Sequence, residues 1–190
     1  MLITKKINRL AIFMVIAAVI LSACDASNAT STNSTGTAEL DNIIDIVLRG
    51  DKDELKSVIE FNQAPCAFNE ALGGPPQCLD NETAGTVVEA LPILDSEGHF
   101  LRKSDFESWD GIDVSALYAV YEVSDAAYSD EIYPAGTYAL VFINKDQTSS
   151  TTLQVDQGKI VRIDYGYNFP PAIREEEVVR YLVLPVDATP

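Results

Sequence analysis

Residues 62–85 carry Pro65, Gly73, Gly74, Pro75, Pro76 and Gly85, with Cys66 and Cys78 among them. Such a density of glycine and proline forbids a long helix or a central strand, so this stretch reads as an Ω-like loop that divides the fold. On its N-terminal side the pattern is helical. Leu40, Ile43, Ile44 and Val47 fall at the spacing of one helix face. Gly50 sits where a C′ glycine ends a helix, and Asp51 with Glu54 three residues on is the start signature of a second. Leu55, Val58 and Ile59 give that second helix its apolar stripe, so the pair predicts an αα-hairpin.

After the loop the period changes to that of strands. Val87–Leu94 is apolar and β-branched, with Pro92 pushing it toward a sheet edge or a bulge. Asp95-Ser96-Glu97-Gly98 is a turn from which His99–Arg102 can pair back. Ser104 and Glu107 have the spacing of a capping box for a short helix carrying Phe106 and Trp109. Further strands are expected at 117–123, with Leu117, Ala119, Tyr121 and Val123 on one face, and at 137–143. The segments 151–155 and 159–167 form a hairpin around Asp156-Gln157-Gly158. Residues 172–182 read as a short helix opened by three glutamates, although Val178–Leu184 equally suits a strand. The sum is an α+β domain over residues 39–187: a helical hairpin on a curved antiparallel sheet of five or six strands.

Upstream, Lys5, Lys6 and Arg9 precede an uncharged apolar run from Leu10 to Leu21. A basic start, a short apolar middle and a small-residue exit make the secretory signal pattern. The run is too short for a comfortable membrane-crossing helix, which needs about 20 such residues. It ends in Leu21-Ser22-Ala23-Cys24, which resembles the lipobox of bacterial lipoproteins. An uncleaved anchor, or a plain signal peptide cut near Ala23, are the competing readings. The resemblance implies cleavage before Cys24 and a thioether-linked diacylglycerol on it. Each buried methylene adds about 0.8 kcal/mol, so two or three chains hold far more firmly than one. It also implies a place on the periplasmic face of an inner membrane or the outer surface of a one-membrane cell. Residues 24–38 then form a lipidated cysteine and a Ser/Thr/Asn tether.

Removing residues 1–23 leaves ten basic against 29 acidic residues, a formal charge of −19. That balance excludes nucleic acid, which needs basic patches to displace counterions, and flat binding to anionic lipid. With Cys24 assigned to lipid, Cys66 and Cys78 remain as a pair, which in an exported chain reads as a disulfide. The bridged loop is either functional or a stiffened surface crossing.

Two strings, Val47-Leu48-Arg49-Gly50-Asp51-Lys52-Asp53-Glu54-Leu55 and Val155-Asp156-Gln157-Gly158-Lys159-Ile160-Val161-Arg162-Ile163, resemble the nuclear transport factor 2-like superfamily. The first is similar to its helix–helix corner and the second to its final hairpin. The resemblance implies a cone-shaped α+β fold with a pocket on the concave face of the sheet. The loop after the second helix and the segment after Tyr167 depart from that plan, and no catalytic residue carries over.

The chain has no Gly-x-Ser-x-Gly elbow, phosphate-binding glycine loop or His-Glu-x-x-His motif. Its single histidine, His99, is flanked by Glu97 and followed by Asp105, the makings of a base and its orienting carboxylate. The acidic clusters follow no calcium-loop pattern, so neither a metal nor another cofactor is expected. All eight tyrosines lie between Tyr118 and Tyr181. Strict alternation puts Tyr118 and Tyr121 on opposite faces and Tyr165 with Tyr167 on one, offering aromatic surface to a glycan or a peptide. These residues with His99 form the candidate ligand surface. The expected function is therefore a membrane-anchored, non-catalytic binding or interaction module with an envelope protein, peptide or glycan partner. The alternative is a cone-fold small-ligand binder or enzyme.

Overall fold

A computed structural model describes residues 34–68 and 73–186. The signal segment, Leu21-Ser22-Ala23-Cys24 and most of the tether lie outside the described residues. Helix α1 spans Ala38–Arg49 and buries Leu40, Ile43, Ile44, Ile46 and Val47. The last tether residues are built into its start: the Thr35 backbone N–H and hydroxyl donate to Asp41 Oδ1 at 2.8 and 2.7 Å. Gly50 ends the helix at φ 68°, a conformation that glycine adopts freely, and its N–H donates to the Ile46 carbonyl at 3.1 Å. Asp51 then accepts from the Glu54 N–H at 3.0 Å and starts helix α2, Lys52–Val58.

α2 is only seven residues long, so the pair makes a corner rather than the expected αα-hairpin. It stops because Ile59 leaves the helix to bridge Ile160, the Glu60 N–H donating to the Ile160 carbonyl at 2.9 Å. The chain continues directly into strand β1, Asn62–Pro65, inside the stretch that read as loop.

The strands that follow are β2 (Val87–Leu94), β3 (His99–Arg102), β4 (Val114–Val123), β5 (Tyr138–Asn144), β6 (Ser150–Asp156), β7 (Lys159–Gly166) and β8 (Val178–Val183). They form one sheet of eight strands, not five or six, in the order β1-β2-β7-β6-β5-β4-β8 with β3 on the other side of β2. The sheet is mixed: β2 and β7 run parallel through Ile93↔Ile163 and Leu94↔Asp164, while the other pairs are antiparallel. Pro92 does not force β2 to an edge. It falls where β1 has ended opposite Ala90 and β7 begins opposite Ile93, so its missing N–H removes no ladder bond at that gap.

Three further expectations change. Lys103–Ser108 is a 3₁₀ turn whose start has no side-chain cap, so Ser104 and Glu107 form no capping box. Glu107 is drawn away by α2, its carboxylate pairing with Lys56 and its carbonyl accepting from Lys52 Nζ at 2.7 Å. Of residues 172–182 only Glu175–Glu177 is helical, as a 3₁₀ turn; Val178–Val183 is a β-branched run that pairs with β4. Finally, β4 is bulged between Leu117 and Ala119, which breaks the alternation. Leu117 and Val120 face the helices, whereas Tyr118, Ala119 and Tyr121 share the opposite face.

The helix-covered face is filled by Leu40, Ile43, Val47 and Leu55 against Leu91, Ile93, Leu140, Phe142, Leu153, Ile160 and Ile163. Burying one such side chain is worth about 1.5–3 kcal/mol, against about 0–1 kcal/mol for an exposed ion pair, so stability resides on this face rather than in the surface charges. The second face is covered by chain instead of helix. Residues 167–177 form a strap from β7 to β8 that lays Phe169 and Ile173 on Tyr118, Ala119, Tyr121, Ala139 and Val141. The ring centroids of Tyr118 and Phe169 are 5.3 Å apart.

Candidate functional site

The Cys66–Cys78 disulfide forms, closing the glycine- and proline-rich loop. Past the bridge, Glu82 accepts from the Leu79 N–H at 2.8 Å and from Arg102 Nη2 at 2.7 and 2.9 Å. Arg102 belongs to β3, so this pair straps the loop along an edge strand whose open ladder would otherwise be a template for another chain. The Arg102 guanidinium holds the Glu82 carboxyl below its ordinary value of 4.5. A lowered folded value means the pair stabilises above pH 4.5 and is lost as the pH falls through the folded value. Glu82→Gln is accordingly expected to be less stable than wild type at pH 7, with the gap in melting temperature closing as the pH is lowered below 4.5 and through the folded value. A gap that does not depend on pH would refute the role given to the ion pair.

A cavity of about 500 Å³ lies between this loop and the β2–β3 turn, with Gln77, Glu97, His99, Phe100, Arg102 and Asp105 among its walls. His99 is half exposed and sits 3.2 Å from Asp95, not against Glu97 or Asp105 as the sequence suggested. Burial alone would raise the Asp95 carboxyl. The backbone N–H groups of Glu97 and Gly98, at 2.9 and 2.7 Å, together with His99, outweigh it and lower the value. Asp95 is thus a turn cap that also orients the imidazole. Beside it, Tyr133 stacks on Phe100 with centroids 5.4 Å apart and buries its hydroxyl against Gly98, where an added Cβ would lie 2.7 Å from that oxygen. Among the described residues the one grouping with metal-ligand spacing is Cys66, Cys78 and Glu82. Its cysteines are bonded to each other and offer no thiolate.

The predicted aromatic surface is divided by the fold. Tyr167 is exposed and its hydroxyl meets Ser96, accepting from the Ser96 N–H at 3.2 Å, in the same turn as Asp95. Tyr165 packs into the helix-side core, where burial raises its pKa. Tyr118 and Tyr121 are buried on the second face, far along the sheet from His99.

Tyr121 belongs instead to a site that the sequence reading passed over. Beneath the strap is a cavity of about 200 Å³. Its floor is polar: Arg162 and Asp164 from β7, Gln154 and Thr152 from β6, Tyr121 from β4. The pairing registers Gln154↔Arg162, Thr152↔Asp164, Ala139↔Gln154 and Tyr121↔Ala139 set these side chains side by side. Arg162 is only 3 % exposed. It donates from Nε to Asp164 Oδ1 at 2.6 Å, from Nη2 to Oδ2 at 3.0 Å, and from Nη1 to the Tyr128 and Tyr133 carbonyls at 3.1 and 2.8 Å. Gln154 donates to Asp164 Oδ2 at 3.1 Å and accepts from the Gly136 N–H at 3.2 Å. Burial, with the Glu177 and Asp164 carboxylates nearby, pushes the Tyr121 phenol up to about 12, so it stays a neutral hydroxyl at ordinary pH. The roof is apolar: Pro171, Ala172 and Ile173 of the strap, with Ala127 at the side.

In the sequence Val161-Arg162-Ile163-Asp164-Tyr165 alternates charged with apolar residues, the pattern of a strand with one face in water, so the opposite charges of Arg162 and Asp164 two residues apart were the one local signal for this site. Comparison with family models, with curated proteins and with solved structures gives no match.

Proposed function

We propose that the chain is a lipid-anchored, non-catalytic binding module held through Cys24 on the extracytoplasmic side of a membrane. The observation that carries this reading is the pairing of Cys66 with Cys78. A closed disulfide suits an oxidising compartment, and it leaves Cys24 as the one cysteine outside that bond, at the end of a signal-like run. Residues 1–23 then act as the signal and the residues after Cys24 as the tether. The anchoring is assigned to acyl chains on the resemblance of Leu21-Ser22-Ala23-Cys24 to a lipobox. A binding role is favoured over a catalytic one because Tyr118, Tyr121 and Tyr165 stand apart from His99, with only Tyr167 reaching its turn, and because the helix-covered face of the sheet is filled by apolar side chains.

In a bacterial host, wild-type protein should carry a diacylglycerol mass on an N-terminal Cys24 and partition into detergent. Cys24→Ser should lose both the acyl mass and the partitioning. Retention of the same acyl mass by the variant would refute the anchor.

A further inference from the structure

We infer that the cavity beneath the strap binds one neutral sugar residue, free or at the end of a glycan. The inference rests on the reading of the chain as a binding module and adds the ligand class. Three properties of the cavity carry it. The first is size: at about 200 Å³ it falls below the roughly 300–1,000 Å³ of pockets for drug-sized ligands, and suits a single ring.

The second is charge. Arg162 is matched in two places by Asp164, and Glu177 at the rim is paired with Arg174. The floor therefore has no net charge to offset the desolvation of a charged ligand. A carboxylate or phosphate would meet Asp164 and Glu177, and an ammonium group would meet Arg162.

The third is the inventory of hydrogen-bonding groups left over. Four of the five guanidinium donors of Arg162 are used, which leaves one Nη2 hydrogen. Gln154 uses one of its two amide hydrogens. The Thr152 and Tyr121 hydroxyls, each able to donate and accept, make no hydrogen bond within the described residues, yet both residues line the cavity. Two donors and two amphoteric hydroxyls on a largely buried floor built from adjacent strands match the hydroxyls of a sugar. The apolar roof of Pro171, Ala172 and Ile173 matches the C–H face of its ring. A polar floor with open hydrogen-bonding capacity also discriminates against apolar ligands, which would leave those groups unpaired.

The full lipidated protein, in a zwitterionic detergent free of sugar, would be titrated with D-glucose, D-galactose, D-mannose and N-acetyl-D-glucosamine. D-Glucuronate and D-glucosamine serve as charged counterparts, and saturation-transfer NMR gives the readout. One neutral sugar is expected to saturate the protein. Tyr121→Phe and Thr152→Val, each nearly isosteric and checked for an unchanged melting temperature, should weaken it about tenfold, the scale of one lost hydrogen bond. A trisaccharide ending in the same residue binding more tightly would identify a glycan end as the source, and equal binding would identify the free sugar. No saturable binding of any neutral sugar, tighter binding of a charged counterpart, or undiminished affinity in both folded variants would overturn the proposal. An intact acyl mass on the same sample separates that failure from a failure of the anchor.

Discussion

Asp164→Ala is expected to destabilise the protein by about 3–5 kcal/mol, the scale on which removing one partner of a buried ion pair acts. The cause is the residue left behind. Arg162 is 3 % exposed, so without Asp164 two of its donors lose their acceptor in the sheet's second face. Gln154 loses an acceptor at the same time. The double replacement Arg162→Met with Asp164→Leu removes both charges and should recover part of the loss, the remainder reflecting the Tyr128 and Tyr133 carbonyls and the Gln154 amide left without partners. Urea midpoints of the wild type and of both variants, at unchanged slope, measure the difference. A loss below about 1 kcal/mol for Asp164→Ala would mean that Arg162 reaches water, and that the cavity floor is not fixed as described.

The second large effect is expected from the disulfide. Cys66 and Cys78 are 12 residues apart, and chain-entropy reasoning for a loop of that size gives about 3 kcal/mol. Replacing both with alanine should lower stability by roughly that amount, less whatever the Glu82–Arg102 pair retains of the loop's closure. Because the bridge and Asp164 share no partner, combining the changes should give losses that add within about 0.5 kcal/mol. The check is urea unfolding of the alanine pair beside oxidised wild type. A loss under about 1 kcal/mol would show that the loop is held by its other contacts, with the bridge contributing little.

The sequence was most legible where one residue performs one local task. Gly50 and Asp51 end and start helices for reasons of backbone conformation and orphan N–H groups, and those reasons need no knowledge of the rest of the fold. It was least legible where a neighbour distant in sequence decides. Asn62–Pro65 has no β-branched residue and becomes a strand only because β2 offers its edge. The Tyr118 bulge is invisible in a pattern that alternates correctly on paper, and it moves Leu117 into the helix-side core. Ser104 and Glu107 have the spacing of a capping box, but Lys56 outbids the backbone for the glutamate. Of the candidate site, His99 was found with the wrong carboxylate, and Tyr121 was found without the partners that make it informative. Arg162 was read as part of a hairpin string, because a charged residue in a strand looks like solvent-facing surface until the strap is seen to cover it.

The parallel pairing of Ile93 with Ile163 has a consequence in time as well as in space. A polypeptide emerges N-terminus first, so β2 is complete long before β7 has left the ribosome. During that interval Leu91 and Ile93, both fully buried at the end, are supported by β3 on one side, and the edge that Ile93 and Leu94 later offer to β7 stays open. Non-local pairings of this kind are slow to form and leave aggregation-prone surface open while they wait. β1, β2 and β3 are neighbours in both sequence and space, so their pairing does not wait for β7. Only the closure of β2 against β7 has to wait for the C-terminal half of the chain.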